Sequence, residues 1–270
     1  EWSKNQNIYE INVRQHTPEG TFAALEAHLP RLKELGAGIL WLMPIHPIGE
    51  LNRKGPLGSY YAVKDYKGVN PDYGTDEDFK RFVKKAHEVG LYVIIDWVPN
   101  HSAWDNALVT EHPEWYVKDS TGKLVSPFDW TDVVKFNYDV PEMRKYMLDA
   151  MKYWIKDFDI DGYRCDVAGD VPMDFWNNSR VELDKIKPLF MLAEAEKPEM
   201  HSAFDMTYGW EFHHVMNKIS KGSMNANDIE KYLKKNDSLY PADAYRMNFI
   251  TNHDENSWNG TEFERLGEGV

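Results

Sequence analysis

Short continuous apolar runs alternate along this chain with longer stretches of helical period. Residues 8–13 read as a short strand, and residues 21–35 follow with apolar positions at helical spacing and Gly36 as the stop. Residues 39–43 are the next apolar run. After a loop rich in Pro, Gly and Tyr, Thr75 followed by Asp76, Glu77 and Asp78 opens a helix that closes at Gly90; a hydroxyl cap with acids in the first turn suits the helix dipole. Residues 91–95 are continuously apolar, as in strands buried on both faces of a parallel sheet, and the run ends at Asp96. The pattern then predicts a long amphipathic helix over 141–158 with Pro141 at its start, a strand over 161–165, a helix over 171–186 entered through Pro172, and a strand over 189–193. Residues 204–208 form a short sixth strand leading into a helix over 210–219, a further helix covers 227–235, and residues 245–251 are the seventh strand.

Repeated strand-helix alternation implies an α/β fold with a parallel sheet, either a closed (β/α)8 barrel or a doubly wound open sheet. No Gly-rich phosphate fingerprint follows any strand, whereas polar motifs sit at the C-terminal ends of strands three, four, five and seven, where barrel enzymes carry their sites. The expectation is a (β/α)8 TIM-type barrel. Only seven strands can be counted before Val270, so the eighth β-α unit is expected to be missing and the chain to be a fragment, because an open edge is a liability. Between His101 and Pro141 the periodicity breaks down in a segment too long for an ordinary connection. The expected division is barrel over 1–100, an inserted lobe after strand three over 101–140, and barrel again over 141–270.

Composition narrows the function classes. With 42% hydrophobic residues over 270 positions, the chain can bury a substantial core. A net charge of −13, from 44 acidic against 31 basic residues and without a Lys/Arg-rich stripe, argues against nucleic acid and favours an uncharged polymer as partner. The single cysteine, Cys165, excludes an internal disulfide and a cysteine-rich metal site. No apolar run approaches the ~20 residues of a membrane span. The chain starts at Glu1 without an initiator Met or a signal-peptide pattern, so any targeting segment is expected to lie outside it. Localisation stays open, with a secreted or periplasmic address favoured over a cytoplasmic one.

The candidate chemistry lies in carboxylates. Asp166 follows Arg164 by two positions, so alternation along a strand sends both side chains to one face and sets a guanidinium beside the carboxylate. That arrangement keeps a nucleophile ionised, although a structural Arg-Asp pair has the same pattern. Glu194 ends the fifth strand after four apolar residues, where partial burial favours a general acid; Glu196, on the same face by parity, competes with it. Asp254 is a third acid, with a loop-capping role as its bland alternative. Two carboxyls are what glycoside cleavage requires, one to protonate the leaving oxygen and one to attack the anomeric carbon.

Taken in order, these segments resemble the α-amylase family, glycoside hydrolase family 13, from Ile8 to about Trp258. The family's first signature matches Asp96, Asn100 and His101, its second Gly162, Arg164 and Asp166, its acid-base position Glu194, and its last signature Asn252, His253 and Asp254. The resemblance implies a retaining enzyme in which Asp166 is the nucleophile, Glu194 the acid-base and Asp254 the third catalytic acid. The first two carboxyls are then expected about 5 Å apart. It also implies that Tyr61 stacks under the sugar being cleaved, that His101 and His253 bind its hydroxyls, that Arg164 supports substrate binding, and that Asp96 and Asn100 are structural at the site. Trp104, Trp115, Phe128 and Trp130 of the lobe are either its small core or faces for stacking on sugars.

The chain departs from the family where many members hold calcium. Of the expected ligands only Asn100 survives; Lys135 stands where a ligand Asp is expected, and Gly169 and Asp170 replace a Lys-His pair after the nucleophile. An ammonium repels a cation, so a metal-free site and no cofactor are expected. The implied substrate is an oligo- or polysaccharide with α-glucosidic bonds, such as starch or maltodextrin. A transglycosylase or isomerase using the same three acids is the first rival, and a non-catalytic carbohydrate-binding relative the second.

Overall fold

A computed structural model describes residues 2–270. Contacts divide the chain into two compact units, one ending at Met191 and the other beginning at Leu192. Seven parallel strands follow one another in chain order, β1-β2-β3-β6-β7-β8-β9, and β4 and β5 form a separate two-stranded sheet. This is the incomplete (β/α)8 arrangement that the pattern predicts.

In the first unit, β1 (Ile8–Ile11) pairs in parallel with β2 (Ile39–Leu42). The expected strand over 8–13 stops at Ile11 because Val13–His16 turn into a short helix, α1. The expected helix over 21–35 is two helices, α2 (Phe22–Glu26) and α3 (Leu29–Glu34). Pro30 is the physical reason: it has no N–H to continue a helix but is accepted in a first turn. α4 (Asp76–Glu88) begins with a complete capping box, Thr75 accepting from Asp78 N while Asp78 accepts from Thr75 N, and the turn at Gly90 uses a φ of +75°. β3 (Tyr92–Trp97) runs one residue past Asp96.

The lobe then opens with β4 (His101–Ala103), passes through α5 (Ala107–Glu111), and returns as β5 (Val133–Lys135), antiparallel to β4 with His101 opposite Lys135. Trp115 is buried as lobe core, whereas Trp104 and Trp130 are half-buried and Phe128 is exposed. α6 (Pro141–Phe158) has the expected bounds and buries eight side chains along one stripe, from Met143 to Phe158. β6 (Gly162–Cys165), α7 (Met173–Asp184) and β7 (Phe190–Ala193) complete the unit, the last strand continuing into the second unit. All residues of β2, β6 and β7 are buried, which is why the β2 and β7 runs read as continuously apolar, whereas β6 buries Arg164 among its residues.

The second unit carries the end of β7 in parallel with β8 (Met206–Tyr208), and β8 in parallel with β9 (Tyr245–Met247). α8 (Trp210–Ser220) and α9 (Ala226–Leu239) lie between β8 and β9 in the chain. The seventh strand is shorter than expected: it ends at Met247, and Asn252 already caps α10 (His253–Trp258), which α11 (Glu262–Leu266) follows.

Candidate functional site

The first unit gathers its polar groups around Asp96. Parallel register sets Asp96 opposite Arg164 on the neighbouring strand, and both are fully buried. Arg164 Nη1 lies 3.0 Å from Asp96 Oδ1 and 2.8 Å from Asp166 Oδ1, so one guanidinium edge serves two carboxylates. Asp96 Oδ2 accepts from Trp41 Nε1 (3.1 Å) and from the Tyr61 hydroxyl (3.0 Å). The Arg164 carbon centre stands 5.1 Å from the Trp41 ring centroid and 5.8 Å from that of Tyr61, within cation–π range of both. Expected pairing of Arg164 with Asp166 is thus present, and it is one arm of a larger network.

Asp166 itself sits just beyond β6, its N–H donating to Trp97 O (2.8 Å). The next residue, Val167, has a φ of +45°, a conformation that costs a β-branched side chain energy and turns the chain sharply away. Trp176 Nε1 donates to Ala168 O (3.1 Å) and holds the turn. The glycine of the second signature has a packing cause. Gly162 has a φ of +151°, and a Cβ there would lie 1.8 Å from Phe190 O on the adjacent strand.

His101 and Asn100 are buried at the entry to the lobe, with Asn100 Nδ2 3.3 Å from His101 Nδ1. Burial pushes the His101 imidazole down to about 3, so at neutral pH it is an uncharged hydrogen-bonding group. Tyr61 remains partly exposed; withdrawal of its phenol from water, and then the Asp96 charge, hold it well above its ordinary value. The Tyr66 hydroxyl bolts the segment after β3 by sharing its one proton between Val98 O (2.7 Å) and His101 O (2.5 Å).

The second unit carries Glu194, His253 and Asp254. Glu194 stands one residue beyond β7 and is partly buried. Its competitor, Glu196, accepts from Glu211 N (3.0 and 3.2 Å) and from Arg246 Nη2 (2.6 Å), so it is committed to holding the start of α8. His253 and Asp254 stand in the first turn of α10, five residues or more past β9, with His253 Nε2 3.4 Å from Asp254 Oδ2. They are therefore on a capped helix start rather than a strand end. Asn252 supplies the cap, its Oδ1 accepting from Glu255 N (2.8 Å).

Sequence reasoning missed Trp41 and Tyr66. The signal for Trp41 was a lone indole in an aliphatic strand: its register partner is Ile94, which shares a strand face with Asp96. Tyr66 gave no local signal, because its role depends on two carbonyls more than 30 residues away.

Asn100 is engaged with His101, Lys135 faces His101 across the β4–β5 pair, and Asp170 is exposed in the turn after Asp166. Calcium takes six to eight oxygen ligands. Among the described residues, no group of three or more His, Cys, Asp or Glu side chains could hold a metal ion.

Comparison with known proteins bears on this arrangement. A family model for "Alpha amylase, catalytic domain" matches residues 3–134 and 109–263. The solved structure of a noncanonic maltogenic alpha-amylase AmyB from Thermotoga neapolitana superposes with a TM-score of 0.89 at 43% identity, covering 94% of this chain and 61% of that one. Alpha-amylase MalA from Haloarcula japonica is 29% identical over 94% of this chain and 39% of its own length. Alpha-1,4-glucan:maltose-1-phosphate maltosyltransferase from Salinibacter ruber is 34% identical over 70% of this chain and 32% of its own. The chain thus spans roughly a third to a half of the length of the curated relatives it matches. With the family's model matched along nearly the whole sequence, the chain belongs to the α-amylase family.

Proposed function

We propose that this chain is the catalytic part of a retaining enzyme that cleaves α-glucosidic bonds in starch, maltodextrin or related oligosaccharides. The observation that carries the proposal is Asp166, held against Arg164 at 2.8 Å where β6 ends and the chain turns away at Val167. A guanidinium at that distance favours the ionised carboxylate, the form a nucleophile needs.

In the first step Asp166 attacks the anomeric carbon while Glu194 gives its proton to the leaving oxygen. The glycosyl-enzyme ester is then opened by water, whose proton returns to Glu194. Asp254 holds sugar hydroxyls and stabilises the oxocarbenium-like transition state, with His253 beside it. Tyr61 supplies the stacking face under the sugar, and neutral His101 hydrogen-bonds its hydroxyls without adding a charge. Asp96 holds Tyr61 and Arg164 in place, and Asn100 lies against His101. Lys135 supplies fixed positive charge in the segment where relatives hold a cation, and the enzyme works without calcium. Activity that survives exhaustive chelation supports this; about one tightly bound calcium per chain by elemental analysis refutes it.

Transfer to a sugar hydroxyl is the second reading, favoured by the likeness to a maltosyltransferase. It uses the same steps with a sugar in place of water. Products at high oligosaccharide concentration separate the two, since longer chains appear only by transfer. The test of the mechanism is mass spectrometry of the intact protein after exposure to a fluorinated α-glucosyl inactivator. A label on Asp166 supports the proposal, and a label elsewhere overturns the nucleophile assignment.

A further inference from the structure

We propose that Phe128 and Trp130 form a stacking platform for a glucose unit of the glucan chain, outside the place where the bond is broken. Phe128 is 66% exposed and has a φ of +51°. Left-handed backbone costs a residue with a side chain roughly 1–2 kcal/mol. The fold around it enforces this conformation. Trp130 N donates to Pro127 O (3.1 Å), Val133 N to Trp130 O (3.3 Å) and Trp104 Nε1 to Thr131 O (3.0 Å). A phenyl ring that leaves most of its surface in water on a strained backbone gains little for the fold, so its placement points to a ligand.

The ring belongs to a series. Phe128 packs on Trp130 with centroids 4.8 Å apart, and Trp130 meets His101 edge-on at 5.5 Å. On its buried side Trp130 rests against Ala62, Ala103 and Val133, so the indole cannot swing away. His101 in turn hydrogen-bonds the Tyr61 backbone, and Tyr61 reaches Asp96. Phe128 is therefore two ring contacts from a group proposed to bind the reacting sugar, and continuity with that site identifies the occupant.

The chemistry of the patch agrees. A pyranose offers an apolar C–H face to an aromatic ring and leaves its hydroxyl edge in water, so a half-exposed pair of rings suits it better than a closed apolar pocket does. Asp132, two residues after Trp130, pairs with Lys54 at 3.4 Å, so charged groups follow the rings in the chain. The platform rests on the glucan reading of the Asp166 site.

The test compares Phe128→Ala with the wild type in the intact protein, using maltotriose and maltoheptaose. The expected result is a KM for maltoheptaose raised roughly 3- to 10-fold, the range of one aromatic contact, with kcat and the KM for maltotriose unchanged. Phe128→Trp restores the wild-type value. Equal KM values for variant and wild type at both lengths overturn the platform, as does an equal rise at both. Phe128→Gly, which also relieves the backbone, serves as the second variant if the first does not fold. Calorimetric binding of maltoheptaose in an Asp166→Asn background repeats the comparison without turnover. Weaker binding on loss of Phe128, when the protein with Asp166 intact turns over neither sugar, upholds the platform and overturns the catalytic reading alone; unchanged binding overturns the platform.

Discussion

Replacing Asp96 by Asn changes only one atom and its charge, yet the network around it leaves no good orientation for the amide. Oδ1 accepts from Arg164, and Oδ2 accepts from Trp41 and Tyr61. Whichever way the Asn side chain turns, its NH2 group faces a donor. The charge is lost either way; turned toward Arg164, the NH2 also loses the hydrogen bond from the guanidinium. Turned the other way, the Tyr61 hydroxyl can rotate and accept, but the Trp41 N–H is left facing another donor. A hydrogen bond to a charged group contributes about 1.5–3 kcal/mol, and a buried unsatisfied donor costs about 1–3 kcal/mol. The sum agrees with the ~3–5 kcal/mol for removing one partner of a buried ion pair, so Asp96→Asn should cost about 4 kcal/mol. For a chain of this size that lowers the thermal midpoint by roughly 10 °C, measurable by calorimetry or circular dichroism. Urea titration should give a matching loss. The folded fraction should also turn over more slowly, because Arg164 then bears on Asp166 alone and makes it a weaker nucleophile. A variant within about 1 kcal/mol of the wild type would refute the account of Asp96 as the hub.

Asp166→Asn and Glu194→Gln should each lower kcat by several orders of magnitude while the circular dichroism spectrum stays that of the folded wild type; near-normal turnover by Asp166→Asn removes it as nucleophile. Gly162→Ala should destabilise severely or abolish folding, because its Cβ meets the Phe190 carbonyl at 1.8 Å and the backbone is left-handed there, and a soluble variant with a wild-type melt counts against that clash. Glu255→Ala should cost about 3 kcal/mol by chemical denaturation. It strips the buried carboxylate that lies 3.2 Å from His213 Nε2 and receives Asn259 Nδ2, the link that fixes α10 and with it Asp254. Stability should also fall on acidification. Burial lowers His101 to about 3 and His46 to about 4 from 6.5, so the unfolded state takes up these protons first. Each contributes stability that is fully present above pH 6.5 and is lost toward its folded value, at about 1.4 kcal/mol per pH unit. His87, raised by its hydrogen bond to Asp161, acts with the opposite sign, its contribution present below pH 6.5 and lost as pH rises through its raised value. His46→Gln should flatten the profile between pH 6 and 4, as followed by urea midpoints.

Much of this molecule was legible along the chain because the signals were local. Apolar runs fully buried in β2 and β7 announce themselves without reference to anything distant, and so do the Thr75 capping box and Pro141 at the head of α6. Alternation alone set Arg164 and Asp166 on one face, and the 2.8 Å contact follows from it. Where a local rule competed with a periodic one, period misled: apolar spacing runs through residues 21–35, but Pro30 divides the helix there. Tertiary structure decided what depends on register and on distant partners. Asp96 looked like a structural residue, yet parallel pairing brought Arg164 opposite it, and Trp41 from β2 and Tyr61 from the loop beyond converge on its other oxygen. Glu194 and Glu196 were equivalent by parity until Arg246, 50 residues later, claimed the second of them. Phe128 could not be told from core in the sequence, because an aromatic side chain carries no mark of which way its backbone turns. Side-chain pattern encodes which face a residue takes, whereas the identity of what lies opposite comes from strand register and loop closure, which only the folded chain fixes.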